Sequence, residues 1–534
     1  MTADTALARH ARLVDALMKG DAIATPPAER TLIETHISSL VLAGGYVYKL
    51  RKPLVLDFLD FSTPALRRAD CLEELRLNRR TAPQIYLDVL PIVGTPEAPR
   101  IGAACDTAQA FDWLLRMRRF EQSALLDAMA REGRLTEVHI DALAERVAAF
   151  HGALPPAHAG HDHAASVRNW ALANLDALRC AAATPAQSAR VDALRRWTDR
   201  ECTRLAPLMR RRELHGFVRE CHGDLHLRNI ALIDGVPLPF DGIAFNAELR
   251  RIDVANDIAF TFMDLLRHAL PALAWRFVSA YAEHGGDYAG LALLRFYAAY
   301  RAAVRARVAL LREQQRGSED AFAAAEDDFA LAESLAAPGA APPLLALVCG
   351  VSGSGKSTVA RLLAQHAGAV RVRSDVERKR LYALAADARP APAEIVTLYG
   401  AEATHRTYAR LGEIARELLA AGVSAVVDAV ALRRAERDAL RALAADCGAR
   451  FVLIECGAPD AVLRERIVRR LGEAKDASDA DLDVLALQLR VREPVAPDEA
   501  AIAFDTDAAL PDVARRCEAL AAELGAAPAA AKGE

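Results

Sequence analysis

Residues 344–358 read Leu344-Leu345-Ala346-Leu347-Val348-Cys349-Gly350-Val351-Ser352-Gly353-Ser354-Gly355-Lys356-Ser357-Thr358. Six apolar residues running into GxxxxGKS predict a buried strand and a phosphate-binding loop. Val359, Ala360, Leu362 and Leu363 then continue at helical spacing. Gly350, Gly353 and Gly355 let the backbone curl, so that N–H groups around Ser354 and Thr358 point inward at phosphate oxygens. The following helix adds its positive N-terminal end. Lys356 is expected to reach the β- and γ-phosphates, and Ser357 to ligate Mg²⁺. A strand, loop and helix of this kind make the region α/β.

Downstream the pattern repeats. Residues 369–373 form a second strand ending at Ser374 and Asp375, and residues 376–380 start a helix with a dense positive face. Strands at 424–428, 451–455 and 501–505 complete an expected five-stranded parallel sheet. In such sheets the ligand crevice lies at the carboxyl ends of the strands. Asp375 is therefore placed to take a proton from an acceptor hydroxyl, and Arg378 to hold an anionic group. Asp428, at the end of the third strand, is a second carboxylate for Mg²⁺ or substrate. Arg464, Arg466, Arg469 and Arg470 follow the fourth strand. Arginines on a mobile lid stabilise charge developing at a γ-phosphate, and a solvated basic face is the alternative. This half resembles the P-loop kinases of the adenylate-kinase-like group, including gluconate kinase and the polynucleotide 5′-kinases. Asp375-Val376-Glu377-Arg378 matches the short DxxR pattern of the latter.

Upstream, residues 6–19 read as an amphipathic helix. Residues 35–42 and 46–50 read as a hairpin turning at Gly44 and Gly45, with Lys49 in the returning strand. A lone strand lysine is usually a solvated face residue. A helix with Leu66, Leu72, Leu75 and Leu77 carries Glu73 and Glu74, and strand-like residues 85–93 and 111–117 follow, the latter placed to pass between two lobes. Helices are expected over 138–150, 167–179 and 188–207.

Then come Cys221-His222-Gly223-Asp224-Leu225-His226-Leu227-Arg228-Asn229-Ile230 and, shortly after, Phe240-Asp241-Gly242. Phosphoryl transfer asks for a carboxylate to orient or deprotonate the acceptor hydroxyl, and for oxygen ligands on Mg²⁺. Asp224 fits the first role, Asn229 and Asp241 the second. HGDLHxxN followed by FDG resembles the catalytic and metal-binding loops of the aminoglycoside phosphotransferase family, relatives of the protein kinases. The resemblance implies that Asp257 braces the catalytic loop and that Lys49 holds ATP phosphates. Its partner is then Glu74, with Glu73 the alternative. The sequence departs from protein kinases at Gly44 and Gly45, which make only a tight turn where those enzymes carry a longer glycine-rich flap.

Across 534 residues, Lys plus Arg number 67 against 71 for Asp plus Glu, a balance that argues against bulk attraction to nucleic acid or anionic membrane. Nine scattered cysteines without a CxxC pair fit a reducing compartment. Neither a signal peptide nor a membrane span is legible, so a cytoplasmic protein is expected. His158, His161 and His163 share a loop whose reading as solvated is preferred to a metal site. Arg301, Arg305 and Arg307 read as a solvated helix face, with an anion-binding cleft as the alternative.

Length alone predicts three or four compact units. The expected organisation is an α+β two-lobed protein-kinase-like module at 1–335, with a small lobe over about 1–117 and a large lobe over about 118–335. A Pro-bearing linker at 336–343 leads to an α/β P-loop module at 344–524 and an Ala-rich, disordered tail at 525–534. The functional expectation is a bifunctional enzyme that transfers the γ-phosphoryl of Mg·ATP to small-molecule hydroxyl acceptors. The alternative is an ATP-sensing regulatory protein. A nucleic-acid-end kinase ranks lowest, because aromatics make up only 6% of the chain.

Overall fold

The computed structural model describes residues 3–525 except 36, 57–58, 104, 158–161, 317–320, 340, 391–393, 395–396 and 474–476. His158, His161 and all of the expected tail beyond Gly525 lie outside the described residues, and His163 is buried at the start of a helix. The chain packs into two compact units where length alone predicts three or four. One comprises residues 1–135, 150–261 and 303–327, the other 136–149, 262–302 and 328–534. The sequence divides the chain at 336–343. Packing interleaves it: the helix Pro271–Gly285 lies against Lys356–His366 and Ala369–Arg373, and Gln365 Nε2 donates to Glu137 Oε1 at 2.8 Å.

In the first unit, a six-stranded antiparallel sheet runs in the order Thr31–Glu34, Ser38–Ala43, Tyr46–Arg51, Asp112–Arg118, Tyr86–Gly94, Pro99–Ile101. Successive side chains on a strand point to opposite faces. On one face Tyr48 and Leu50 pack with Leu13 and Leu17 of the helix Ala3–Lys19, and with Val41, Ile92 and Leu114. Lys49 and Arg51 therefore face the other way. The strand-like segment expected to pass between lobes is an interior strand, Asp112–Arg118: Leu115 lies opposite Lys49 in register, and also opposite Val89. Its alternating apolar residues need both neighbours to be covered.

The helix Pro64–Asn78 starts at Thr63, whose side chain accepts the Leu66 amide. Of the three expected long helices, the last runs on through Pro207 to Leu214. The proline costs one backbone bond but leaves the apolar stripe Leu205, Met209 buried, and that packing carries the helix past it.

The second unit contains the five-stranded sheet, parallel throughout, in the order Ala369–Arg373, Ser424–Asp428, Leu344–Cys349, Arg450–Gly457, Ile502–Asp505. The strand before the P-loop is central and wholly buried, which explains its unbroken apolar run. Val359, Ala360 and Leu363 of the helix Lys356–His366 join Ala346, Val348, Val426 and Ile454 in one core cluster. The helix Pro271–Gly285 also belongs to this unit. Among the described residues, no helix is long and apolar enough to cross a membrane.

Candidate functional site

The expected site residues gather in two places, one in each unit. In the first, Lys49 is buried, and its ammonium lies 2.9 Å from Glu74 Oε1 and 2.7 Å from Asp241 Oδ1. Burial works to lower the Lys49 pKa, but Asp241 and then Glu74 outweigh it and hold it above the ordinary lysine value. Glu74 is 1% exposed and also accepts from Arg51, whose Nε donates to Asp70 at 2.5 Å. The partner of Lys49 is thus Glu74. Glu73, one residue away and about 100° around the helix, pairs with Arg76 and Arg250 instead.

The residues 221–230 turn sharply at Gly223, whose φ is +84°; a Cβ there would stand 2.9 Å from the Leu249 carbonyl. Asp257 holds this turn from behind. It is fully buried and accepts the amides of Gly223 at 2.8 Å and His222 at 3.0 Å, with His151 Nε2 at 3.1 Å. Burial works to raise its pKa, but the bond from His151 and the neighbouring donors keep it low. The loop so braced presents Asp224, which is partly open to solvent. Asn229 Nδ2 donates to Asp224 Oδ2 at 2.8 Å and to the Asp224 carbonyl at 3.0 Å, and His226 Nε2 stands 3.3 Å from Oδ2.

Asp241 adopts a left-handed backbone, φ +59°, with its amide bonded to the Tyr86 hydroxyl at 2.9 Å and the next amide, of Gly242, to Asn78 Oδ1 at 2.8 Å. Desolvation works to raise the Asp241 carboxyl, and Lys49 beside it more than compensates, leaving it below the usual carboxylate range. Asn229 and Asp241 present oxygen donors of the kind Mg²⁺ takes. The NH₂ of Asn229 is engaged, which leaves its side-chain oxygen for a cation. The donor set fits such an ion.

In the second unit, the P-loop runs from the central strand straight into the helix Lys356–His366, so the first amides of that helix have no partner within it. Gly350 has φ +141°, and a Cβ there would collide with the Cys456 carbonyl. Lys356 is buried, and Ser357 and Thr358 are half-buried behind it. Among the described residues, Ser354 Oγ and Asp428 Oδ2 are buried with no hydrogen-bond partner. Burial pushes the Asp428 carboxyl up, and Lys356, Arg373 and Arg371 pull against this without reversing it. A buried carboxylate oxygen that takes no hydrogen bond, with Arg373 Nε 3.7 Å away, fits a divalent cation.

The expected lid arginines separate. Arg466 braces the loop, its Nη1 lying 3.3 Å from the Gly353 carbonyl and 2.9 Å from Thr506 Oγ1. Arg464, expected at ATP, forms an exposed pair with Asp460 at 2.7 Å, four residues away on its own helix. Asp375 sits half-buried in the first turn of the helix Ser374–Leu381, at the carboxyl end of its strand. Arg378 is buried, donates to the Leu398 carbonyl at 3.0 Å and lies over the Tyr399 ring.

Sequence reasoning missed Arg51, Asp70, Asn78, Tyr86, Thr506 and Gln488. Arg51 had a signal, since it lies two residues past Lys49 on the same strand face. Thr506 also had one, at the carboxyl end of the last strand, where its hydroxyl donates to the Ser354 carbonyl at 2.9 Å. Gln488, which accepts the Ser352 amide at 2.8 Å, had none.

A family model described as an AAA domain matches residues 345–495, the span of the P-loop and most of its sheet. Uncharacterized proteins of Mycobacterium tuberculosis (strains H37Rv and CDC 1551) and Mycobacterium bovis are each 33% identical over 448 residues, covering 83% of this chain and 87% of theirs. The chain belongs to their family. The alignment is too long to lie within either half, so the family shares both the HGD-type region and the P-loop region. Among solved structures, the chain is similar to a choline/ethanolamine kinase family protein from Mesorhizobium loti, at 13% identity over 60% of this chain and 94% of that one, with TM-score 0.36. It is also similar to a sugar kinase from Janibacter sp. HTCC2649, at 27% identity over 36% of this chain and 100% of that one, with TM-score 0.28.

Proposed function

We propose that this protein is an ATP-dependent phosphotransferase with two separate sites, each moving the γ-phosphoryl of Mg·ATP to a hydroxyl of a small molecule. The observation that carries this reading is the convergence of Lys49, Glu74, Asp224, Asn229 and Asp241, from four separated stretches of chain, around one loop braced by Asp257. Phosphoryl transfer is achieved mainly by positioning and by electrostatic stabilisation, and these residue types supply both.

In the first site Lys49, steadied by Glu74, holds the phosphates, and Asn229 and Asp241 hold the metal. Asp224 accepts the acceptor's hydroxyl proton as its oxygen bonds to the γ-phosphorus and ADP leaves. In the second site, Lys356 and the amides of the P-loop hold the phosphates, Ser357 and Asp428 hold the metal, and Arg466 stiffens the loop. There Asp375 takes the acceptor's proton, and Arg378 faces an anionic part of the acceptor. Bound Mg²⁺ would neutralise charge on the β- and γ-phosphates in either site.

The test is phosphate transfer from γ-labelled ATP to a panel of hydroxylated small molecules, with nucleic-acid 5′ ends included, using the full chain. Asp224→Asn and Asp375→Asn should each remove a different product. Removal of all turnover by one change would defeat the two-site reading. Binding of ATP without any product would favour a nucleotide-sensing regulator.

A further inference from the structure

The helix Pro271–Gly285 lies in the sequence range expected for the first module, yet it covers the edge strand of the parallel sheet within the second unit. Ser279 Oγ accepts the Arg371 amide at 3.2 Å and donates to the Ala369 carbonyl at 3.4 Å. One turn further on, the Glu283 carboxylate bridges two arginines of that strand. Arg371 Nη2 lies 2.5 Å from one oxygen and Arg373 Nη1 3.0 Å from the other, with all three side chains 12 to 14% exposed. The backbone carbonyl of Glu283 accepts from Arg380.

Both arginines also touch the P-loop site. Arg371 Nη1 is 3.4 Å from the Ser357 carbonyl. Arg373 Nε stands 3.7 Å from Asp428 Oδ2, the oxygen without a hydrogen-bond partner. Two guanidinium groups beside a cation-binding serine and carboxylate oppose the binding of a divalent ion unless they are neutralised. A guanidinium that is not tethered would also tighten this 3.7 Å ion pair into a direct hydrogen bond to Asp428 Oδ2.

We propose that Glu283 is a positioning residue of the P-loop site, tethering Arg373 so that Asp428 Oδ2 stays available to a divalent cation. The inference rests on the reading of Gly350 to Thr358 as a Mg·nucleotide site. It means that the second site takes one of its determinants from a helix outside residues 344–524.

The experiment follows the Lys356-dependent binding of a fluorescent ATP analogue to the full chain, with Mg²⁺ titrated and with Mg²⁺ absent. Glu283→Gln should raise the Mg²⁺ concentration for half-saturation by about five- to tenfold, while Mg²⁺-free affinity moves less than about twofold. A merely structural role would weaken both. In an Arg373→Gln background the effect of Glu283→Gln should vanish, and Arg373→Gln alone should lower the Mg²⁺ requirement. The proposal is overturned by an unchanged Mg²⁺ requirement in Glu283→Gln, or by an equal shift in both backgrounds. Should Glu283→Gln not fold, Arg373→Gln decides alone, and an unaltered Mg²⁺ requirement in it refutes the idea. If nucleotide binding has no Lys356-dependent component at all, the nucleotide reading of the loop falls and this inference with it.

Discussion

Asn229 clamps Asp224: its side-chain amide donates both to the carboxylate, at 2.8 Å, and to the backbone carbonyl of the same residue, at 3.0 Å. The five-residue spacing across a short 3₁₀ turn makes this pair of hydrogen bonds possible. One oxygen of Asp224 is thereby fixed, while the side chain remains 35% exposed toward an incoming acceptor.

Replacing Asp224 by Asn keeps the shape and removes the base. First-site product formation should fall by about 10²- to 10⁴-fold with little change in the KM for ATP, as measured by single-product steady-state kinetics. A comparable fall in Asn229→Asp, which keeps a metal-binding oxygen, would show that the clamp matters as well as the base.

Glu74 and Glu73 offer a contrast between neighbours. Glu74→Gln leaves Lys49 and Arg51 as buried cations with half their compensation gone, and should cost about 3–5 kcal/mol of stability. Glu73→Gln loses pairs that are partly solvated, and should cost about 1 kcal/mol or less. Urea denaturation of the two variants measures the difference; equal costs would contradict the assignment of Glu74 as the buried partner.

His10 sets a pH dependence. It is buried, its Nε2 lies 2.9 Å from Ser39 Oγ, and burial pushes its pKa down to about 4 against the pull of Asp112 and Glu34. Between about pH 6.5 and 4 the unfolded chain takes up a proton that the folded chain refuses. Stability is therefore full above pH 6.5 and declines as pH falls toward 4, by up to about 3 kcal/mol. In His10→Gln the decline in urea midpoint over this range should be shallower; superimposable pH profiles would rule His10 out.

Cleavage within 337–343 should not release a free P-loop domain. Residues 136–149 and 262–302 remain on the N-terminal piece but pack with 328–534. Arg276 binds Asp141 at 2.7 Å and Gln365 at 3.0 Å, tying three segments together. With a protease site inserted in the linker, the two pieces should co-elute on gel filtration after cutting. Separation into two folded species would show that the interleaved packing is dispensable.

Much of the candidate site was legible before any coordinates, because its chemistry sits in contiguous runs. The P-loop, HGDLHxxN and FDG each place their groups through local backbone geometry, so spacing alone announces them. The middle of the parallel sheet was legible for a related reason: Leu344–Cys349 and Ser424–Asp428 are buried almost throughout and read as apolar runs.

What tertiary structure alone decided is which of several equivalent charged residues lies inside. Glu73 and Glu74 differ in sequence by one place, Arg464 and Arg466 by two, and no local pattern ranks them. Docking against the sheet buried Glu74 beside Lys49, and docking against the P-loop and Thr506 engaged Arg466 while Arg464 stayed at the surface. Glu283 is the extreme case, lying 88 and 90 residues from the arginines it joins. Sequence spacing carries information only over the reach of one helix or turn. A buried ion pair across that distance exists only once the chain has packed.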